Sequence, residues 1–82
     1  MMSKFIWVDN TDNLHRTVDG RYIEDKEEAR GSWSDLAIAL QKRFQLKVES
    51  FDPGFDCVDE KSENAVFIPT WLALRMVGEK GG

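Results

Sequence analysis

The sequence contains little of what disulfide-stapled, metal-binding or membrane-spanning domains need. It has one cysteine, Cys57, and one histidine, His15. A single cysteine cannot form an internal disulfide, and zinc sites built from thiolate and imidazole need three or four such ligands. No apolar stretch is long enough to span a bilayer, and the amino terminus lacks the pattern of a secretory leader. We therefore expect a cytoplasmic protein without a metal or cofactor.

Catalytic and nucleotide-binding motifs are also absent. Nucleophilic catalysis pairs a nucleophile with a base, usually histidine. Cys57 and His15 fall in different predicted strands, so a core thiol and a surface imidazole are favoured over a catalytic pair. The polar run 9–13 lacks the glycine and the terminal glutamate of a calcium loop, which favours an ordinary turn, and no glycine pattern matches a phosphate-binding loop. We predict that the protein is not an enzyme.

The chain does have an excess of negative charge and enough apolar residues for a core. Fifteen acidic and eleven basic residues give a net charge of −4, and 41% of the 82 residues are hydrophobic. This length and composition predict a single folded domain over 1–82, with 79–82 a disordered tail. Because negative charge repels phosphate backbones and anionic lipid, a protein partner with a basic surface is favoured over direct nucleic-acid or membrane binding.

The first third of the chain predicts three strands, at 5–8, 14–18 and 21–24. The first of them is a continuous β-prone apolar run. The other two flank the Asp19-Gly20 pair, which is typical of a type I′ turn and therefore predicts a β-hairpin. In that hairpin Thr17 lies opposite Tyr22.

The middle of the chain predicts a helix. Apolar residues recur there at helical spacing, at Trp33, Leu36, Ala37, Leu40 and Phe44. Ser32 and Asp35 form a variant of the capping box, so we expect the helix to start at that point and the preceding residues 25–31 to be loose. Ile38 lies off the apolar stripe and is expected to be exposed.

Three further strands and a second helix complete the chain. The strands are predicted at 46–51, 55–58 and 65–68 from their apolar patterns and the turn residues between them. Thr70 caps a helix that runs to about Gly78 and is apolar nearly all round its axis. The order β-ββ-α-βββ-α predicts an α+β fold, with a small antiparallel sheet of about five to six short strands and two helices packed on one face.

Two sets of side chains are candidates for contact with another protein. The acidic set comprises Asp52, Asp56, Asp59, Glu60 and Glu63. Such carboxylates often form no more than a solvated loop edge, but together they can meet arginines or lysines of a partner. The apolar set comprises Ile38, Trp71 and Met76, because a small core has few places to bury the apolar residues of this chain.

Acidity, small size and apolar excess without catalytic groups favour a non-enzymatic, acidic protein-binding module. Inhibitors encoded by phages or mobile elements, of the anti-CRISPR or antirestriction type, resemble this chain in size and charge, although not in sequence. The resemblance implies a viral protein in the host cytoplasm that blocks a basic nucleic-acid-binding surface of its target. The alternative is a structural or assembly subunit that self-associates, for example as a homodimer, through the apolar C-terminal helix.

Overall fold

The architecture comes from a computed structural model that describes residues 6–7, 14–51 and 54–78. Its elements are β1 (Ile6–Trp7), α1 (Lys26–Phe44), β2 (Leu46–Phe51), β3 (Phe55–Asp59), β4 (Ala65–Ile68) and α2 (Thr70–Gly78). Strands β2, β3 and β4 form an antiparallel sheet, and β1 pairs with β2 in parallel, which gives the order β1-β2-β3-β4. The predicted α+β class and antiparallel sheet are confirmed. The predicted tail 79–82 lies outside the described residues, as do the two end residues of the predicted strand 5–8.

The predicted five to six strands and the order β-ββ-α-βββ-α are not confirmed. The predicted hairpin is reduced to one isolated antiparallel bridge between Arg16 and Tyr22. Thr17 lies inside the turn and not opposite Tyr22, because its N–H donates to the carbonyl of Arg21 and its hydroxyl accepts from the N–H of Arg21. The turn residue Gly20 does take a positive φ of 90°, so the turn signal was correct and the strands beside it were not.

The 14–25 segment makes only part of a hairpin ladder. The N–H of Thr17 donates to the carbonyl of Arg21 and that of Ile23 to the carbonyl of His15, but the carbonyl of Thr17 accepts from Gly20 and the N–H of Arg21 donates to the Thr17 hydroxyl. The indole N–H of Trp33 donates to the carbonyl of Arg16 at 2.9 Å, and the N–H of Val18 donates to the hydroxyl of Ser32 at 2.8 Å. Thr17 between them is buried. These contacts fasten the segment to the side of the helix.

Helix α1 begins more than one turn earlier than predicted. Asp25 is its N-cap, with a side chain that accepts from the N–H of Glu27 at 3.0 Å, and glutamates in the first turn suit the helix dipole. Ala29 is fully buried and extends the apolar stripe backwards from Trp33. The expectation that 25–31 are loose was therefore wrong. Ser32, the predicted cap, is an interior residue of the helix.

The core lies between the two helices and one face of the sheet, which we call the inner face. Its buried members are Trp33, Leu36, Ala37, Leu40, Leu46, Val48, Phe51, Phe55, Cys57, Ile68 and Ala73. The register of β2 shifts between Val48 and Ser50. This irregularity lets Val48 and Phe51, three positions apart, both point inward, where strict alternation would put them on opposite faces.

Helix α2 closes the same side of the sheet. Its first turn forms on the carbonyl of Pro69, which accepts from the N–H groups of Leu72 and Ala73. The guanidinium of Arg43 donates to the carbonyl of Val77 at 2.8 Å and ties the end of α1 to the end of α2. In the part of the chain that the structure describes, no helix has the length and apolar character needed to cross a membrane.

Candidate protein-binding surface

The outer side of the sheet is the largest candidate surface that the strands create. Cross-strand register places two rows of side chains on it, Lys47, Val58 and Ala65 in one row and Ser50, Asp56 and Phe67 in the other. The described helices pack on the inner face, so these rows are not covered by them. We call this set of six residues the open sheet face.

Phe67 is the main apolar feature of the open sheet face, with 56% of its surface exposed. Its ring lies against Gly54 in the turn between β2 and β3, so closely that a Cβ at Gly54 would lie 2.6 Å from the ring. Gly54 also has a φ of +87°, which favours glycine. The turn therefore holds an exposed aromatic ring in one position without burying it.

The acidic residues do not all meet. Asp56 lies on the open sheet face, where its carboxylate accepts from the Ser50 hydroxyl at 2.9 Å. Asp59 is three positions further along β3, so it faces the other side and lies roughly 10 Å away along the strand. Its carboxylate accepts from the N–H of Lys61 at 2.9 Å and thereby shapes the turn to β4.

The remaining acids lie in that turn or outside the described residues. Glu60 reaches α1, where its carboxylate accepts from the amide of Gln41 at 2.9 Å. Glu63 is exposed and has a positive φ of 64°. Asp59, Glu60 and Glu63 lie in or beside the turn between β3 and β4, and we call them the hairpin acids. Asp52 lies outside the described residues.

The apolar candidates differ in exposure. Ile38 on α1 is 52% exposed, as expected from its place off the stripe, and Trp71 in the first turn of α2 is 62% exposed. Met76 instead packs against the core and is only partly accessible. Ile38 and Trp71 are therefore available to a partner, whereas Met76 belongs mainly to the fold.

Comparison of the chain with family models, with curated proteins and with solved structures finds no match.

Sequence reasoning missed Phe67, although the signal was present. The strand 65–68 is apolar at every position, and a sheet with helices on one face buries only alternate residues of a strand. Of every two consecutive residues in this strand, one apolar residue therefore has to face outward. Tyr22, also exposed and also missed, already has neighbours: its ring lies 5.5 Å from that of His15, and the guanidinium of Arg16 lies 5.8 Å from its centroid.

Cys57 is a core thiol, as predicted. It is buried, and its Sγ lies 3.6 Å from the carbonyl of Phe55. Burial, together with the nearby charge of Asp56, raises the pKa of the Cys57 thiol to about 11, so it is neutral at physiological pH and a poor nucleophile. The Nδ1 of His15 lies 3.1 Å from the carbonyl of Ile23 instead. Among the described residues no group of three or more potential ligands can hold a metal ion.

Proposed function

We propose that this chain is a non-enzymatic protein-binding module that contacts a basic partner through the open sheet face. The observation that carries the proposal is the cross-strand pair of Asp56 and Phe67, an exposed carboxylate beside an exposed aromatic ring on two paired strands. Aromatic side chains are enriched in the cores of protein interfaces, and a carboxylate beside one adds charge complementarity to a basic partner.

The energetics of this pair suit binding. Covering the exposed half of a phenylalanine removes on the order of 100 Å² of apolar surface from water, which contributes about 2–3 kcal/mol. Because the ring of Phe67 already rests on Gly54, little side-chain entropy remains to be lost when a partner docks. The carboxylate of Asp56 adds preference for a lysine or arginine opposite it.

In its specific form, the proposal makes the partner a nucleic-acid-handling protein. The carboxylates would then compete with phosphates for the lysines and arginines of its binding groove, as in inhibitors of the anti-CRISPR or antirestriction type. Charge supports this form: the chain has a net charge of −4, and Asp56 on the open sheet face is exposed, as are Glu60 and Glu63 in the turn between β3 and β4. Association with such a groove is fast and falls steeply with salt.

The first experiment is an affinity capture of the tagged chain from its native host lysate at low and high salt, followed by kinetics with the captured partner. We expect Asp56→Lys to slow association and Phe67→Ser to speed dissociation, with an affinity loss of about tenfold or more for each. Glu24→Lys is the matched control, because it makes the same charge change at an exposed site in the 14–25 segment. Equal binding by Asp56→Lys and Glu24→Lys would rule out the open sheet face.

The second candidate function is a self-associating subunit that uses α2, and one observation favours it. Trp71 is the most exposed large apolar side chain among the described residues. This candidate predicts that Trp71→Ala abolishes a concentration-dependent dimer, measured by sedimentation equilibrium. Met76→Lys is a poor test because Met76 packs against the core and its replacement by a charge would unfold the chain.

A further inference from the structure

Strand β4 ends the sheet and pairs with β3 alone among the described elements. Its four residues, Ala65–Ile68, are all apolar. It is short, but it lacks the lysines, internal prolines and inward charges that are the other devices by which natural edge strands avoid pairing with another chain. A free edge of this kind is a template for one more strand.

The hydrogen bonds of the hairpin show which backbone groups of β4 face that free edge. The N–H of Asp59 donates to the carbonyl of Asn64 at 2.9 Å, which puts these two residues at a hydrogen-bonded position of the ladder, while the N–H of Asn64 donates to the Ser62 hydroxyl in the turn. Hydrogen-bonded and non-hydrogen-bonded pairs alternate along an antiparallel ladder. In the register of β3 and β4, the backbone groups of Val66 and Ile68 therefore bond to β3. The N–H and C=O groups of Ala65 and Phe67 consequently point away from β3, and no other described residue bonds to them.

We propose that β4 pairs in antiparallel fashion with β4 of a second copy of this chain, about a two-fold axis at Val66. Ala65 of each copy then lies opposite Phe67 of the other. Both of these pairs use outward-facing backbone groups, so each exchanges its N–H···O=C bonds in full. An axis at Phe67 would instead place Ala65 opposite Pro69, which has no N–H.

The side chains fit a second copy in this register. On the open sheet face the small Ala65 lies beside the large Phe67 of the other copy, and on the inner face Val66 meets Val66. The strand carries no charge, so two copies of it meet without like-charge repulsion between the paired residues. The pairing adds a strand at the edge and, on the open sheet face, covers only part of Ala65 and Phe67. Asp56 stays accessible, so partner binding through Asp56 is tested separately from the pairing.

The contact between the two β4 strands is small, and the two copies that it joins both carry net negative charge. A standard interface buries about 800 Å² per partner, and a pairing of four-residue strands buries less, so the dimer should be weak and form at high protein concentration. Each copy carries a net charge of −4, so salt should tighten the dimer by screening the repulsion. Binding to a basic partner should respond to salt in the opposite direction.

The test is sedimentation equilibrium of the full chain over a range of concentrations at low and high salt. Ala65→Pro removes an outward N–H without removing a donor to β3, and Ala65→Thr is its matched control because it keeps that N–H. We expect the wild type to approach twice the monomer mass, Ala65→Pro to weaken association by about tenfold or more, and Ala65→Thr and Trp71→Ala to associate like the wild type. Circular dichroism establishes that each variant is folded.

Amide hydrogen exchange tests the same register without substitution. The amides of Ala65 and Phe67 should exchange fast in dilute solution and slowly at high concentration, while those of Val66 and Ile68 stay protected in both. A wild type that stays monomeric at the highest concentration and salt would overturn the proposal. So would equal association of Ala65→Pro and Ala65→Thr, or loss of the dimer in Trp71→Ala. Partner binding by Asp56→Lys is measured separately, so either proposal can fail without the other.

Discussion

The two faces of strands β3 and β4 consist of alternate residues of the same short segments, yet they have opposite surroundings. Phe55, Cys57 and Ile68 on the inner face are buried under α1 and α2. Asp56 and Phe67 on the open sheet face are exposed. The difference comes from coverage and not from composition, because each face has a phenylalanine. Inner residues are therefore expected to determine stability, and open-face residues to determine binding.

The strongest test of this comparison truncates one phenylalanine on each face. Phe55→Ala removes a ring that lies 5.5 Å from Phe51 and 6.0 Å from Trp33, and should lower the free energy of unfolding by about 3–5 kcal/mol. Phe67→Ala removes a half-exposed ring and should cost about 1 kcal/mol or less. Chemical denaturation of both variants under the same conditions measures the difference.

Equal losses would break the comparison, because they would mean that the open sheet face is part of the core. A chain of this size has a total stability of roughly 4–12 kcal/mol, so Phe55→Ala can leave too little to measure. Phe55→Leu is then the substitute, with a smaller loss and the same expected ranking against Phe67→Leu.

The elements that sequence predicted correctly are those whose signal is local. The apolar stripe of α1 and the strand 46–51 were predictable because the spacing of apolar residues within each element is sufficient to identify it. The start of α1 did not follow, since Asp25 and Ser32 are both capping residues and tertiary contacts decide between them. Ser32 cannot cap because its hydroxyl lies inside the helix, donating to the carbonyl of Ala29 and accepting from Val18. The hairpin was overpredicted because local groups replace its ladder bonds: the N–H of Arg21 donates to the Thr17 hydroxyl, and the carbonyl of Thr17 accepts from Gly20.

The candidate site was predictable only in part. Exposure of Ile38 and Trp71 follows from helical geometry, and exposure of Phe67 follows once the strand is known to have helices on one side. The placement of the carboxylates does not follow, because strand register puts Asp56 on one face and Asp59 on the other. Loop and register geometry depend on contacts distant in sequence, which local patterns do not encode.

A second test concerns the contact between the ring of Phe67 on the open sheet face and the backbone of Gly54. Gly54→Ala should lower the free energy of unfolding by about 1–3 kcal/mol, because a Cβ both meets the ring of Phe67 and disfavours the positive φ of Gly54. In the double variant with Phe67→Ala the clash with the ring should disappear, while the cost of the positive φ and the 3.2 Å contact with the carbonyl of Ile68 should remain. Additive losses in the cycle would mean that the ring does not rest on the turn.

The control for that experiment is Gly31→Ala in α1. Gly31 lies within the helix, and a Cβ there meets no atom within 4 Å. The substitution should therefore stabilise the chain by about 0.5–1 kcal/mol through helix propensity. The same chemical change at two glycines thus gives opposite signs, which separates the contact at Gly54 from any general effect of adding a methyl group.

The smallest expected effect concerns the thiol of Cys57 on the inner face. Burial raises its pKa from an ordinary value of 9.0 to about 11, so the unfolded chain loses this proton at lower pH than the folded chain. The contribution to stability is complete below pH 9 and is lost as pH rises toward 11, by on the order of 1 kcal/mol. Denaturation of the wild type and of Cys57→Ala across this range isolates the thiol, because every other ionisable group is common to the two proteins. Parallel pH profiles would show that the thiol ionises as easily in the folded chain as in the unfolded one, and that the inner face is less sealed than its packing indicates.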